Sequence, residues 1–163
     1  LDGSLKFFTH IRRDVYDRDK KSFFSVSGGL GMICRITLVT NNPEFKSKVK
    51  DITFIDGSAW EVLVKSRDAV HLGGKLLNHP LYGNFRPYQQ PYRSLVLQKN
   101  SNVSSVDLYS LGLMENALEV YRSCGDRILL PGMLAEEAER DCRYLDYQLV
   151  KHTLSQYGEL DQG

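Results

Sequence analysis

Residues 33–40, ICRITLVT, and 52–55, ITFI, are two short β-branched runs, each cut off by turn formers, Asn41-Asn42-Pro43 and Asp56-Gly57. Runs like these fit strands buried on both faces, and helix-spaced segments between them commit the chain to strand–helix alternation. Pro43 can open a short helix reaching Lys50, because a proline at the first helical position loses no hydrogen bond. Ser58 is placed to cap a longer helix, with Glu61 completing a capping box three residues on. Within it Ala59, Val62, Leu63, Ser66, Ala69 and Val70 recur at helical spacing, Glu61 and Lys65 pair at i,i+4, and Gly73-Gly74 ends the helix. KLL at 75–77 and SLVLQ at 94–98 supply a third and a fourth strand.

Two more helices follow. The first, from about Ser105 to Cys124, carries one stripe of Leu111, Met114, Leu118 and Tyr121 and another of Leu113, Ala117, Val120 and Cys124, so burial on more than one side is expected. The second runs from about Leu134 to Tyr157, with Glu136 and Glu137 in the first turn, where the helix dipole favours acid. Its core stripe reads as Ala138, Cys142, Leu145 and Leu149. Tyr144, Tyr147, Val150 and Leu154 form a second, unusually apolar flank, which suggests a homodimer through this helix or packing on the N-terminal arm. The pattern predicts a small three-layer α/β sandwich: a mostly parallel sheet of about four strands and a long C-terminal helix.

Charge excludes several partners. Lys plus Arg number 21 against 20 Asp plus Glu, so no net field draws in nucleic acid or an anionic membrane, and no run approaches a membrane span. Cys34, Cys124 and Cys142 have no C-x-x-C spacing and the histidines no ligand spacing, so neither a disulfide framework nor a metal or other cofactor is expected. Residues 1–31 are charged and lack the apolar stretch of a signal peptide. They read as an N-terminal arm translated from upstream sequence, with Met32 as the natural start of a single domain over 32–163.

Ligands in open α/β sheets bind beyond the carboxyl ends of the strands. Those ends carry Asn41 and Asn42 after the first strand, Asp56 and Ser58 after the second, and His79 after the third. Asn41 and Asn42 would orient a polar group, and the N–H groups of the Ser58 helix would suit a carboxylate or phosphate. Each piece also has a plain reading as a turn or cap residue. The segment between the third and fourth strands is harder to dismiss, because structureless connections longer than about 12–15 residues are usually functional or disordered. This one holds three prolines, with Tyr82, Phe85, Tyr88 and Tyr92 to pack and Arg86 and Arg93 to reach an anion. It reads either as a ligand lid, with Tyr92 and both arginines in the site, or as a docking surface, since Tyr and Arg anchor interfaces.

No nucleophile elbow, P-loop or dinucleotide fingerprint is present. An enzyme acting on a small carboxylate or phosphorylated compound is the alternative, with His79 as acid/base.

ITLVTNNPEF, then HPLYGNFRPYQQPYRSLVL, then MENALEV resemble the GrdX family, small proteins encoded beside the glycine, sarcosine and betaine reductases of amino-acid-fermenting anaerobes. The resemblance runs from about Met32 to about Tyr121. It covers Thr40, Asn41, Asn42, Pro43, His79, Pro80, Pro91 and Tyr92, while residues 1–31 depart from the pattern. It implies a cytoplasmic accessory protein of selenium-dependent amino-acid reduction, with a reductase subunit or a small anionic ligand as partner, and it brings no catalytic residue.

Overall fold

The computed structural model describes residues 35–99, 105–158 and 160. The arm expected over 1–31, the start at Met32 and Cys34 lie outside them. The elements run β1 (Arg35–Thr40), β2 (Ile52–Phe54), α1 (Ala59–His71), β3 (Lys75–Leu76), β4 (Ser94–Lys99), α2 (Leu108–Cys124) and α3 (Glu136–Gln156), with single 3-10 turns at Pro43–Phe45, Pro87–Gln89 and Gly125–Arg127.

The sheet order is β2-β1-β4-β3. β1 and β2 pair in parallel, with Leu38 opposite Ile52, whereas β4 is antiparallel to both β1 and β3. The sheet is therefore mixed, which corrects the expectation of a mostly parallel one. β1, β2 and β3 share a direction, and β4 enters reversed between β1 and β3. Helical crossovers enforce parallel pairing, but the connection from β3 to β4 is a loop that turns the chain back on itself. That wide hairpin closes over the carboxyl ends of β1 and β3, because Ser94 at the start of β4 lies opposite Thr40 at the end of β1.

Strand alternation divides the core. Val39, Leu95 and Leu97 face α1 and α2, where they meet Val62, Leu63, Met114, Leu118 and Tyr121. Ile36, Leu38 and Val96 face the other way, onto Phe45, Val150 and Leu154. Each fully buried Leu or Val side chain contributes about 1.5–3 kcal/mol, so both faces of the sheet hold the fold together. α1 has the expected cap: Ser58 Oγ accepts from the Glu61 N–H at 3.3 Å while the Glu61 carboxylate accepts from the Ser58 N–H at 2.6 Å.

The stripes of α2 hold in part, and that of α3 falls elsewhere than the sequence pattern suggests. α2 buries Ser110, Met114, Ala117, Leu118, Tyr121 and Cys124 and leaves Val120 exposed, so it packs through one face. α3 buries Glu139, Asp146, Val150 and Leu154, while Leu149 is exposed and Tyr147 packs against the cluster around Phe45. Its inner face is thus the flank read as a second surface, continued toward the N-terminus by acids in place of apolar side chains. Of that flank only Tyr144 is exposed, at 62%.

Candidate functional site

The carboxyl end of β1 carries a buried polar network that fixes the loop from β3 to β4. Asn41 spans three segments: its Nδ2 donates to the carbonyls of Gly57 at 2.9 Å and Pro91 at 2.8 Å, and its Oδ1 accepts from the Arg93 N–H at 2.8 Å. One amide side chain therefore ties the β2–α1 turn and the loop to the sheet. Asn42 does the same for α3, donating to the Arg143 carbonyl and to Asp146 Oδ2, both at 2.8 Å, while its Oδ1 caps the Pro43 turn through the Glu44 N–H.

Asp146 is the hub. Tyr82 Oη donates to its Oδ1, and Oδ2 accepts from Ser94 Oγ at 2.6 Å as well as from Asn42. Because Ser94 gives its hydrogen to Asp146, the 2.6 Å contact between Thr40 Oγ1 and Ser94 Oγ has Thr40 donating, and Thr40 in turn accepts from the Asn42 N–H at 2.9 Å. Donors thus run one way, from Asn42 through Thr40 and Ser94 to the carboxylate. Burial pushes the Asp146 carboxyl up from its ordinary value, against the pull of Ser94, Tyr82, Asn42 and the Arg93 charge. Burial also raises the Tyr82 phenol, and the neighbouring Asp146 adds to it, so Tyr82 stays a donor.

Arg93 is 1% exposed and has no carboxylate in contact among the described residues. Nη1 donates to the Tyr82 carbonyl at 3.2 Å, Nη2 to Gln90 Oε1 at 2.6 Å and to Tyr121 Oη at 3.2 Å, and the guanidinium carbon stands 4.7 Å from the Tyr82 ring centre. Burial works against its charge, but Tyr82, Tyr121 and Asp146 outweigh it and the net shift is upward. Among the described residues its Nε has no hydrogen-bond partner. Tyr92 extends the network: its hydroxyl donates to Glu139 Oε2 at 2.6 Å, and Glu139 Oε1 accepts from the N–H groups of Gly132 at 2.8 Å and Leu134 at 3.2 Å.

The remaining candidate residues are placed differently. Ser58 is occupied by its own capping box, so the Glu61 carboxylate already fills the start of α1. Asp56 is exposed at the β2–α1 turn. His79 is exposed and uses Nδ1 to accept from the Leu81 N–H at 3.0 Å, a turn contact; partial desolvation, and then the Arg93 charge, lower its pKa. Arg86 faces solvent, donating to Tyr88 Oη at 2.9 Å, and the Arg127 guanidinium lies 4.8 Å from the same ring. The structure thus brings together Asn41, Asn42, Tyr92 and Arg93, and leaves Asp56, His79 and Arg86 at the surface.

Sequence reasoning missed Tyr82, Gln90, Ser94, Tyr121, Glu139 and Asp146. The last two carried a legible signal, because Glu139, Asp146, Val150 and Leu154 follow one another at helical spacing along one face of α3. Residues 37–155 match the family model described as GrdX-like protein, a span that begins within β1 and extends beyond Tyr121 through most of α3. No curated protein and no solved structure matches the chain. The match takes in both the β1 end and the helix that closes over it, and the chain belongs to the GrdX-like family.

Proposed function

We propose that this protein is a non-catalytic, cytoplasmic accessory protein of the glycine, sarcosine and betaine reductase systems, and that it docks on a reductase subunit through the outer half of its long loop. The observation that carries this reading is the division of the loop. Its inner residues, Tyr82, Gln90, Tyr92 and Arg93, are bonded to the protein itself, so the loop is ordered before any partner arrives. Its outer residues present Phe85, 49% exposed, beside Arg86 and Tyr88, with Arg127 stacked on Tyr88. An ordered loop has little entropy left to lose on binding, and an aromatic–arginine cluster is the usual composition of an interface anchor. Neither Arg86 nor Arg127 has a carboxylate partner among the described residues, which favours an acidic patch on the subunit.

A second reading, binding of a small anion within the network, is favoured by the unpartnered Nε of Arg93. The two separate in one experiment. Purified reductase subunits are titrated against the wild type and against Phe85→Ser/Arg86→Glu, whose side chains are exposed. Docking predicts at least a tenfold loss of affinity with an unchanged melting temperature. Equal binding of both proteins defeats it, and stabilisation by phosphate or acetate that disappears in Arg93→Met supports the anion reading instead.

A further inference from the structure

A cavity of about 290 Å³ lies between α1 and the sheet, on the half of the sheet away from Asn41. Ala69 and Leu72, from α1 and its end, give it apolar surface over a nearly buried floor of Val39 and Leu97 of the sheet, and Lys65 and Lys99 also line it. Gly74 lets the chain pass tight beneath the helix end: a Cβ there would stand 2.8 Å from the Ala69 carbonyl oxygen and 3.6 Å from Leu97 Cδ2.

The lining has an apolar body and a cationic margin. Lys99 is bonded to Asp51 at 3.0 and 2.9 Å, which neutralises one of the two ammonium groups. Lys65 is exposed, and Glu61, the acid expected to pair with it, is engaged by Ser58 in the capping box. Among the described residues no carboxylate pairs with Lys65, so the cavity carries about one uncompensated positive charge. Leu72 is 71% exposed beside it, an apolar side chain that a ligand in the cavity would cover.

We infer that this open pocket is a binding site for a small aliphatic monocarboxylate, with the hydrocarbon over Ala69 and Leu72 and the carboxylate on Lys65. The volume falls near the lower end of small-molecule pockets, roughly 300 Å³, which suits a ligand of a few carbon atoms. The single unpaired ammonium offers one charge-assisted contact, which one carboxylate satisfies.

Hexanoate is the probe, with hexylamine as its cationic counterpart of like length, both followed by saturation-transfer NMR and titration on the whole chain. The wild type is expected to bind hexanoate and not hexylamine. Lys65→Gln, at an exposed helix position, should weaken hexanoate roughly two- to fivefold, and Lys65→Glu should reverse the preference. Ala69→Leu should exclude both by filling the space, and a melting curve identifies any loss of folding in that variant. Absence of hexanoate binding at millimolar concentration, equal binding of the two probes, or hexanoate affinity indifferent to Lys65→Gln would each overturn the assignment.

Discussion

Arg93 and Asp146 are buried opposite charges that share Tyr82 between them: the guanidinium donates to the Tyr82 carbonyl at 3.2 Å, and the Tyr82 hydroxyl donates to the carboxylate. Removing one charge of a buried pair leaves the other uncompensated, at a cost of about 3–5 kcal/mol. Asp146→Asn should therefore destabilise the protein by that order, the more so because an amide cannot accept from Tyr82, Ser94 and Asn42 together. Arg93→Met should cost a similar amount. The double variant should lose clearly less than the sum, which a denaturant double-mutant cycle measures; strict additivity would mean that the two charges do not sense each other across Tyr82.

Tyr82→Phe isolates the bridge. The phenol oxygen both donates to Asp146 and accepts from the Ser94 N–H at 2.8 Å, so its removal strands a buried donor and thins the carboxylate's hydrogen bonding. A loss of about 1–3 kcal/mol is expected. An unchanged unfolding midpoint would show that water substitutes for the hydroxyl.

Where side chains obeyed the period of their element, the fold could be read directly. α1 shows this: Ala59, Val62, Leu63, Ser66 and Val70 are all buried, and Ser58 and Glu61 form the cap that their spacing implies. α3 misled because two of its buried positions are acids, and a reading that follows apolar residues drifts to Leu145 and Leu149, off the inner face. The reversal of β4 was also hidden, since strand–helix alternation says nothing about which way a long loop returns. Asn41 and Asn42 could be singled out from the strand end and Arg93 from the long loop. That their polar atoms are used by the protein could not, because most of the groups that use them, on Asp146, Tyr121 and the Gly57 and Pro91 carbonyls, come from distant segments.

Glu139 makes the fold sensitive to acid. Burial alone would raise its carboxyl, but the Tyr92 hydroxyl and the Leu134 and Gly132 N–H groups lower it below the ordinary value. A depressed folded pKa means that the unfolded chain binds this proton more readily. The stabilisation is therefore present above the unfolded glutamate pKa of about 4.3 and is lost as pH falls through the folded value. Glu139→Gln should be less stable than the wild type at neutral pH and should lose less on acidification through that window. Parallel urea midpoints for the two proteins from pH 6 to pH 3 would contradict this role.

Two glycines should respond to alanine with opposite signs. Gly83 lies in the loop at φ +85°, and a Cβ there would approach Leu149 Cδ1 of α3 to 3.2 Å. The left-handed backbone costs an alanine roughly 1–2 kcal/mol, and the contact is tighter than an ordinary one, so Gly83→Ala should destabilise by about that amount. Gly112 lies exposed in the body of α2, and a Cβ added there would have no neighbour within 4 Å. The new methyl meets only solvent while the unfolded chain loses freedom, so Gly112→Ala should stabilise by about 0.5–1 kcal/mol. Chemical denaturation of both variants checks the pair. A neutral Gly83→Ala would mean that the loop can shift away from α3, and the preordered surface proposed for docking would then have to be abandoned.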